Sequence, residues 1–77
     1  MEKDLVEYIV KSLVDDPASV ELTVIEREKS TTLELKVAPS DIGKVIGRHG
    51  RIAKAIRTVL QAAGTRGGKR TVLEILD

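Results

Sequence analysis

Alternation of apolar and polar residues marks two strands in the first half of the chain. Val20, Leu22 and Val24 alternate with Glu21 and Thr23, and Leu33, Leu35 and Val37 alternate with Thr32, Glu34 and Lys36. A period of two puts each apolar set on one face of a pleated strand, so each strand is expected to bury one face. The polar stretch of residues 27–31 between them reads as a hairpin connection, although it lacks the Asn-Gly or Asp-Gly pair of the tightest turns.

Elsewhere the period becomes helical. Leu5, Tyr8, Ile9 and Leu13 recur at helix spacing ahead of Asp15-Asp16-Pro17, where the proline ring ends the segment and pushes Asp16 out of the α region. Glu2 and Asp4 at its start suit the helix dipole. Tyr8 is expected to pack this helix against the sheet. After Pro39, Ser40 is the expected N-cap of a short helix, with Asp41 in its first turn, Ile42, Val45 and Ile46 as its buried side, and Gly47 as its stop. A further helix starts near Arg51 and sets Ile52, Ala55, Ile56, Val59, Leu60 and Ala63 on one stripe, with Gly64 as its C-cap residue. Thr65-Arg66-Gly67-Gly68-Lys69 reads as a flexible connection and Thr71 to Leu76 as a last, β-prone strand. The predicted order is α-β-β-α-α-β.

Length bounds what this order can build. A chain of 77 residues with 42% hydrophobic content fills one core and one domain, residues 1–77. It is expected to bury about 60% of the surface its unfolded form exposes, so its stability should be marginal unless a partner or ligand adds to it. The absence of cysteine excludes a disulfide framework and any thiolate metal site. No run reaches the roughly 18 apolar residues of a membrane span, and the start lacks the order of a signal peptide, so a cytoplasmic location is expected.

The formal net charge of +1 conceals an asymmetry. Residues 1–39 hold five Lys/Arg against nine Asp/Glu, whereas residues 40–77 hold eight against three. The second half is built to attract anions. Lys44, Arg48, Arg51, Lys54 and Arg57 fall within one short stretch, although such a run is most often only a solvated helix face.

Candidate chemistry lies between the two later helices. Val45-Ile46-Gly47-Arg48-His49-Gly50-Arg51-Ile52 sets two glycines three apart at a helix-to-helix turn, with apolar anchors on both sides. Glycine permits left-handed dihedrals and has no Cβ, so a phosphate backbone can approach the main chain. The N–H groups opening the helix at Arg51 are expected to point outward, where the dipole favours an anion. Arg48 and His49 are expected on the loop tip, exposed and within reach of phosphates. The glycines alone could serve only the corner; the apolar anchors, the basic half and the element order agree on more.

The segment Ile46-Gly47-Arg48-His49-Gly50-Arg51-Ile52 resembles the I-G-x-x-G-x-x-I core of KH domains, and the element order resembles their type II, prokaryotic, arrangement. The likeness covers nearly the whole chain and is to the small stand-alone bacterial KH-domain RNA-binding proteins of the KhpA (YlqC-like) family. It implies an α+β fold, a single type II KH domain with a three-stranded mixed sheet covered by three helices on one face. It also implies single-stranded RNA in a groove between the loop with its two helices and a sheet edge, about four nucleotides being clamped. By this resemblance Gly47 and Gly50 would admit the phosphate backbone, Arg48 and His49 would contact it, and Ile46 and Ile52 would support the loop from the core. Lys44, Arg51 and Lys54 lie outside the motif and are assigned to RNA by charge and helical geometry alone. Arg57 lies outside the motif too and is considered on the same grounds, but is not counted in the site. The implied role is that of a bacterial RNA chaperone or post-transcriptional regulator.

Composition argues against neighbouring functions. Tyr8 is the only aromatic residue, so the stacking platforms of an RRM or OB-fold are missing. One histidine, no cysteine and no clustered carboxylates give neither a metal site nor a nucleophile–base pair, and no G-x-x-x-x-G-K-[ST] loop is present. No enzyme and no cofactor are expected. The last strand carries apolar residues on both parities, Leu73 and Ile75 on one and Val72 and Leu76 on the other, more than a one-sided sheet needs. A homodimer is therefore expected, or, as the resemblance suggests, a heterodimer with a second KH-domain protein of the KhpB (Jag-like) type. The alternative is a KH-fold dimerisation adaptor with little RNA binding, which would have no need of Arg48 and His49 on an exposed glycine turn.

Overall fold

The computed structural model describes residues 2–64 and 70–76. In chain order these form helix α1 (Glu2–Leu13), strands β1 (Glu21–Glu26) and β2 (Ser30–Lys36), the short helix α2 (Ile42–Ile46), helix α3 (Arg51–Gly64) and strand β3 (Arg70–Leu76). Single 3-10 turns at Pro17–Ser19, Pro39–Asp41 and Arg48–Gly50 punctuate them. This is the α-β-β-α-α-β order read from the sequence. The expected connection Thr65-Arg66-Gly67-Gly68-Lys69 lies outside the described residues, as does the Ala63 side chain.

The central strand is β2. It runs antiparallel to β1, with Leu22 opposite Leu35 and Val24 opposite Leu33. It runs parallel to β3, with Leu33 beside Leu73 and Leu35 beside Ile75. The sheet is therefore mixed, in the order β1-β2-β3, and β3 is an outer strand. Alternation puts Leu33, Leu35 and Leu73 on one face, where all three are buried beneath the helices. The hairpin is shorter than residues 27–31: β2 resumes at Ser30, whose carbonyl accepts the Arg27 N–H at 2.8 Å.

Val6, Val10 and Val14 close the core from one side, and Val45, Ile56 and Leu60 from the other. Here α1 is rolled from its expected setting. Val6 and Val10 are fully buried, whereas Leu5 is 38% and Tyr8 74% exposed, so Tyr8 does not pack the helix on the sheet. Valines at four-residue spacing form one short-chained stripe, which brings the helix close to the sheet. A similar roll buries Ala53, Ile56 and Leu60 of α3, leaving Ile52 half-buried and Ala55 and Val59 exposed. Gly64 is the last residue of α3 and not a cap beyond it. On β3 the two-sided pattern holds: Leu73 is buried, Val72 half-buried and Leu76 exposed.

Candidate nucleic-acid interface

Helix α2 has five residues, too few to persist alone, so whatever holds it decides where the following loop goes. Asp41 supplies that hold. Its fully buried carboxylate accepts the backbone N–H of Asp15 at 3.2 Å on Oδ1 and of Asp16 at 3.1 Å on Oδ2. Two charge-assisted bonds thus tie the turn after α1 to the start of α2. One turn on, the Lys44 ammonium donates to Asp15 Oδ2 at 2.9 Å and stands 3.5 Å from Asp41 Oδ1. The Asp15 N–H leads in holding the Asp41 carboxyl below its usual range, aided by the Asp16 N–H and Lys44 and opposed by burial. The hydrogen bond to the Asp15 carboxylate, with its charge, pushes the Lys44 ammonium above its usual value. Ser40 is not the N-cap. Asp41 holds that position without capping through its side chain, which is committed to Asp15 and Asp16.

Gly47 ends α2 with φ 80° and ψ 170°. A Cβ there would stand 2.5 Å from Ile52 Cγ1 and 2.8 Å from Ile52 Cβ, so both dihedral and space demand glycine. Gly50, at φ 74°, has nothing within 4 Å of a built Cβ, so only its dihedral does. Between them His49 also takes a left-handed φ of 59°, which costs a non-glycine residue about 1–2 kcal/mol. Strain of this kind gathers at functional sites. Arg48 and His49 are exposed, as expected for a loop tip. The Arg51 N–H, by contrast, does not point outward: the 3-10 turn directs it to the Arg48 carbonyl.

Beside this turn lies a cleft of about 260 Å³, lined by Ile42 and Ile46 of α2, Gly50, Ala53 and Arg57 toward α3, and Ile75 of β3. Ile46, expected in the core, is 36% exposed because it faces the cleft. Ile52 is half-buried and sits under the loop against Gly47. Arg57, unassigned from the sequence, crosses to the far wall, where Nε and Nη2 both donate to the Leu73 carbonyl at 3.4 Å. Lys54 is exposed on α3, three residues from both Arg51 and Arg57, and lines neither the cleft nor the hollow on the other side of the helix. Arg51 turns the other way, into a hollow between α1 and α3 lined by Ile9, Leu13, Ile52, Ala55, Ile56 and Val59. Among the described residues, no ion pair or hydrogen bond engages the side chains of Arg48, His49, Arg51 or Lys54, whereas Lys44 is held by Asp15. Of the expected residues only Gly50 lines the cleft, with Gly47, Arg48 and His49 on the turn that Gly50 closes, and the structure adds Arg57 and Ile75 to its lining. Spacing along α3 could have found Arg57; Ile75 enters only through the parallel pairing of β3.

A Gly-x-x-Gly turn between two helices, opening on a cleft walled by the outer strand of a mixed sheet, is the arrangement of a KH domain, and the chain matches the family described as KhpA/KhpB, KH domain over residues 3–75. The chain belongs to this KH family. It is 60% identical over 76 residues to the RNA-binding protein KhpA of Borreliella burgdorferi, covering 99% of this chain and 93% of that one. With the RNA-binding protein KhpA of Clostridium acetobutylicum it shares 58% identity over 74 residues, 96% of this chain and 99% of the relative. The corresponding values for the RNA-binding protein KhpA of Aquifex aeolicus are 55% over 75 residues, 97% and 95%. No solved structure matches. As a member of this KH family the chain is not an enzyme. Among the described residues, no group of three or more His, Cys, Asp or Glu could hold a metal ion, and no helix is long and apolar enough to cross a membrane.

Proposed function

We propose that this KH chain binds single-stranded RNA in the cleft between α2, α3 and β3, clamping about four nucleotides at the Gly47-Arg48-His49-Gly50 turn. The observation that carries the reading is an apolar-floored cleft that the glycine turn borders at Gly50 and Arg57 crosses, with Arg48 exposed on that turn and engaged by no acidic partner among the described residues. Such charges recruit an anion. Gly47 and Gly50 let a sugar-phosphate backbone lie close to the main chain, with Arg48 and His49 contacting it from the tip. Ile42, Ile46 and Ile75 offer apolar surface to the bases, so phosphate contacts position the strand and the floor reads little sequence. Lys44 contributes only where RNA outcompetes Asp15, and Arg51 acts at longer range. The relatives' name, RNA-binding protein, supports the reading. In the cell this is the work of a cytoplasmic RNA chaperone or post-transcriptional regulator.

The hollow between α1 and α3 supports a second element of function. Its lining is almost wholly apolar, and Leu5, Tyr8 and Val59 are exposed on the same two helices. This face suits a second KH subunit, either another copy or a partner of the KhpB (Jag-like) type. It also favours the alternative in which the protein is chiefly a dimerisation adaptor. A homodimer is expected at micromolar concentration; sedimentation of only an 8.4 kDa species at high concentration would reject it.

The deciding experiment is the double variant Arg48→Asp with His49→Asp. Both side chains are exposed and aspartate tolerates the left-handed dihedral, so the thermal melt should stay within about 0.5 kcal/mol of wild type. RNA binding should be lost, because the carboxylates repel the phosphates the wild-type loop attracts. A double variant that melts normally and binds RNA at wild-type strength would reject the cleft and leave the adaptor.

A further inference from the structure

Beyond the cleft, α3 and β3 enclose a smaller hollow of about 110 Å³, lined by Arg57, Gln61, Arg70, Thr71, Val72 and Leu73. Arg57 belongs to both hollows, so its guanidinium is the partition between them. Along α3 the sequence of lining positions is continuous: Ala53 and Arg57 face the first space, Arg57 and Gln61 the second. From Gly50 to Gln61 this track runs about 16 Å at the 1.5 Å rise of a helix.

The second hollow carries the chemistry of an anion subsite. Arg70 donates its backbone N–H to the Lys29 carbonyl at 3.2 Å, so its main chain faces β2. Alternation then turns the N–H and C=O of Thr71 and Leu73 to the outer edge of the sheet. Arg57 occupies the Leu73 carbonyl with Nε and Nη2, which leaves outward N–H donors on β3 beside a guanidinium with donors to spare. Arg70 is exposed, and among the described residues no carboxylate pairs with Arg57 or Arg70. A peptide strand adding to this edge would have to displace Arg57 from Leu73, whereas a phosphate is held by that arginine where it stands.

We propose that the RNA track continues past Arg57 into a flanking subsite on the outer edge of β3, where Arg57 and Arg70 together hold the phosphate of a nucleotide beyond the clamped four. This extends the RNA-binding reading above and rests on it. The subsite makes affinity depend on RNA length and gives Arg70 a role that no residue at the glycine turn can take over.

The test compares wild type with Arg70→Glu on two fluorescein-labelled pools of randomised single-stranded RNA, tetranucleotides and octanucleotides, with a thermal melt of each protein. Wild type should bind the octanucleotides about tenfold more tightly than the tetranucleotides. Arg70→Glu should melt as wild type does, bind tetranucleotides with unchanged affinity, and lose the octanucleotide gain. An Arg70→Ala variant should also flatten the octanucleotide log–log salt slope by about 0.7, the contribution of one phosphate contact on a single strand. Equal octanucleotide binding by wild type and Arg70→Glu overturns the subsite while leaving the cleft standing. Equal loss on both lengths overturns it too, since Arg70 would then act on the main cleft. Failure of wild type to bind either pool overturns the cleft reading and the subsite with it.

Discussion

The proposed RNA cleft and the hollow on the opposite shoulder of α3 are made of different material. The one toward β3 has an apolar floor of Ile42, Ala53 and Ile75 but is bordered by Gly50 and crossed by Arg57. The one toward α1 is walled by Ile9, Leu13, Ile52, Ala55 and Val59, with Arg51 as its charged residue. Both lean on one buried ridge, Ala53, Ile56 and Leu60. A helix whose central stripe is core has two shoulders, and here one carries Arg57 beside the glycine turn and the other an almost wholly apolar lining. The shoulders share a foundation but few side chains, so changes to one should add independently to changes in the other.

The largest break attacks what they share. Leu60 is fully buried, and Leu60→Ala should cost about 2–5 kcal/mol in urea unfolding, taking RNA binding and self-association down together. Next come the two glycines. Gly50→Ala should cost about 1–2 kcal/mol for its left-handed dihedral. Gly47→Ala should cost clearly more, because its methyl would also meet Ile52, and circular-dichroism melts of the pair rank them. Equal losses would mean that Ile52 yields without cost.

Acid should then test the tie that fixes the cleft side. The Asp41 carboxyl is held below the ordinary aspartate value of 3.8, so the stability it adds is present above that value and is lost as pH falls through its own lower one. Lys44 is raised above 10.5, so its contribution persists up to that pH and fades beyond it. In melts at stepped pH, Asp41→Asn should start lower at neutral pH and show a flatter acid decline than wild type. A variant with the wild-type acid decline would clear Asp41 of this role. The smallest expected effect on stability is at the apolar shoulder: Val59→Glu, at a 45% exposed position, should shift the monomer's stability by no more than about 0.5 kcal/mol. It should abolish self-association in sedimentation and leave RNA affinity alone.

Much of this plan can be read from residue order. Leu33, Leu35 and Val37 announce β2 because a one-sided sheet imposes a strict period of two. The Gly47 and Gly50 pair announces the turn because few other residues accept its dihedrals. The setting of α1 is not so legible. Val6, Val10 and Val14 and the bulkier Leu5, Tyr8, Ile9 and Leu13 both make helical stripes, and only packing against the sheet chooses between them. Asp41 is invisible for another reason: its partners are backbone N–H groups some 25 residues earlier, which every non-proline residue owns. Arg51 misleads because charge alone does not say which shoulder of α3 meets β3; Arg57, four residues after Ala53 on the shoulder that does, is within reach of helical spacing.

The parallel pairing of β3 has a consequence in time. The β1–β2 hairpin closes over residues 27–29, while β3 reaches β2 only after the chain from 37 to 69 has been gathered in. Closing the longer loop costs about 2 kcal/mol more entropy, so β3 should dock late in folding. Ile75 is therefore the last wall to arrive, and a half-folded chain offers RNA a glycine turn without a cleft behind it. If RNA binds in the proposed cleft, RNA at a hundredfold excess over its Kd would add about 2.7 kcal/mol to the finished molecule alone.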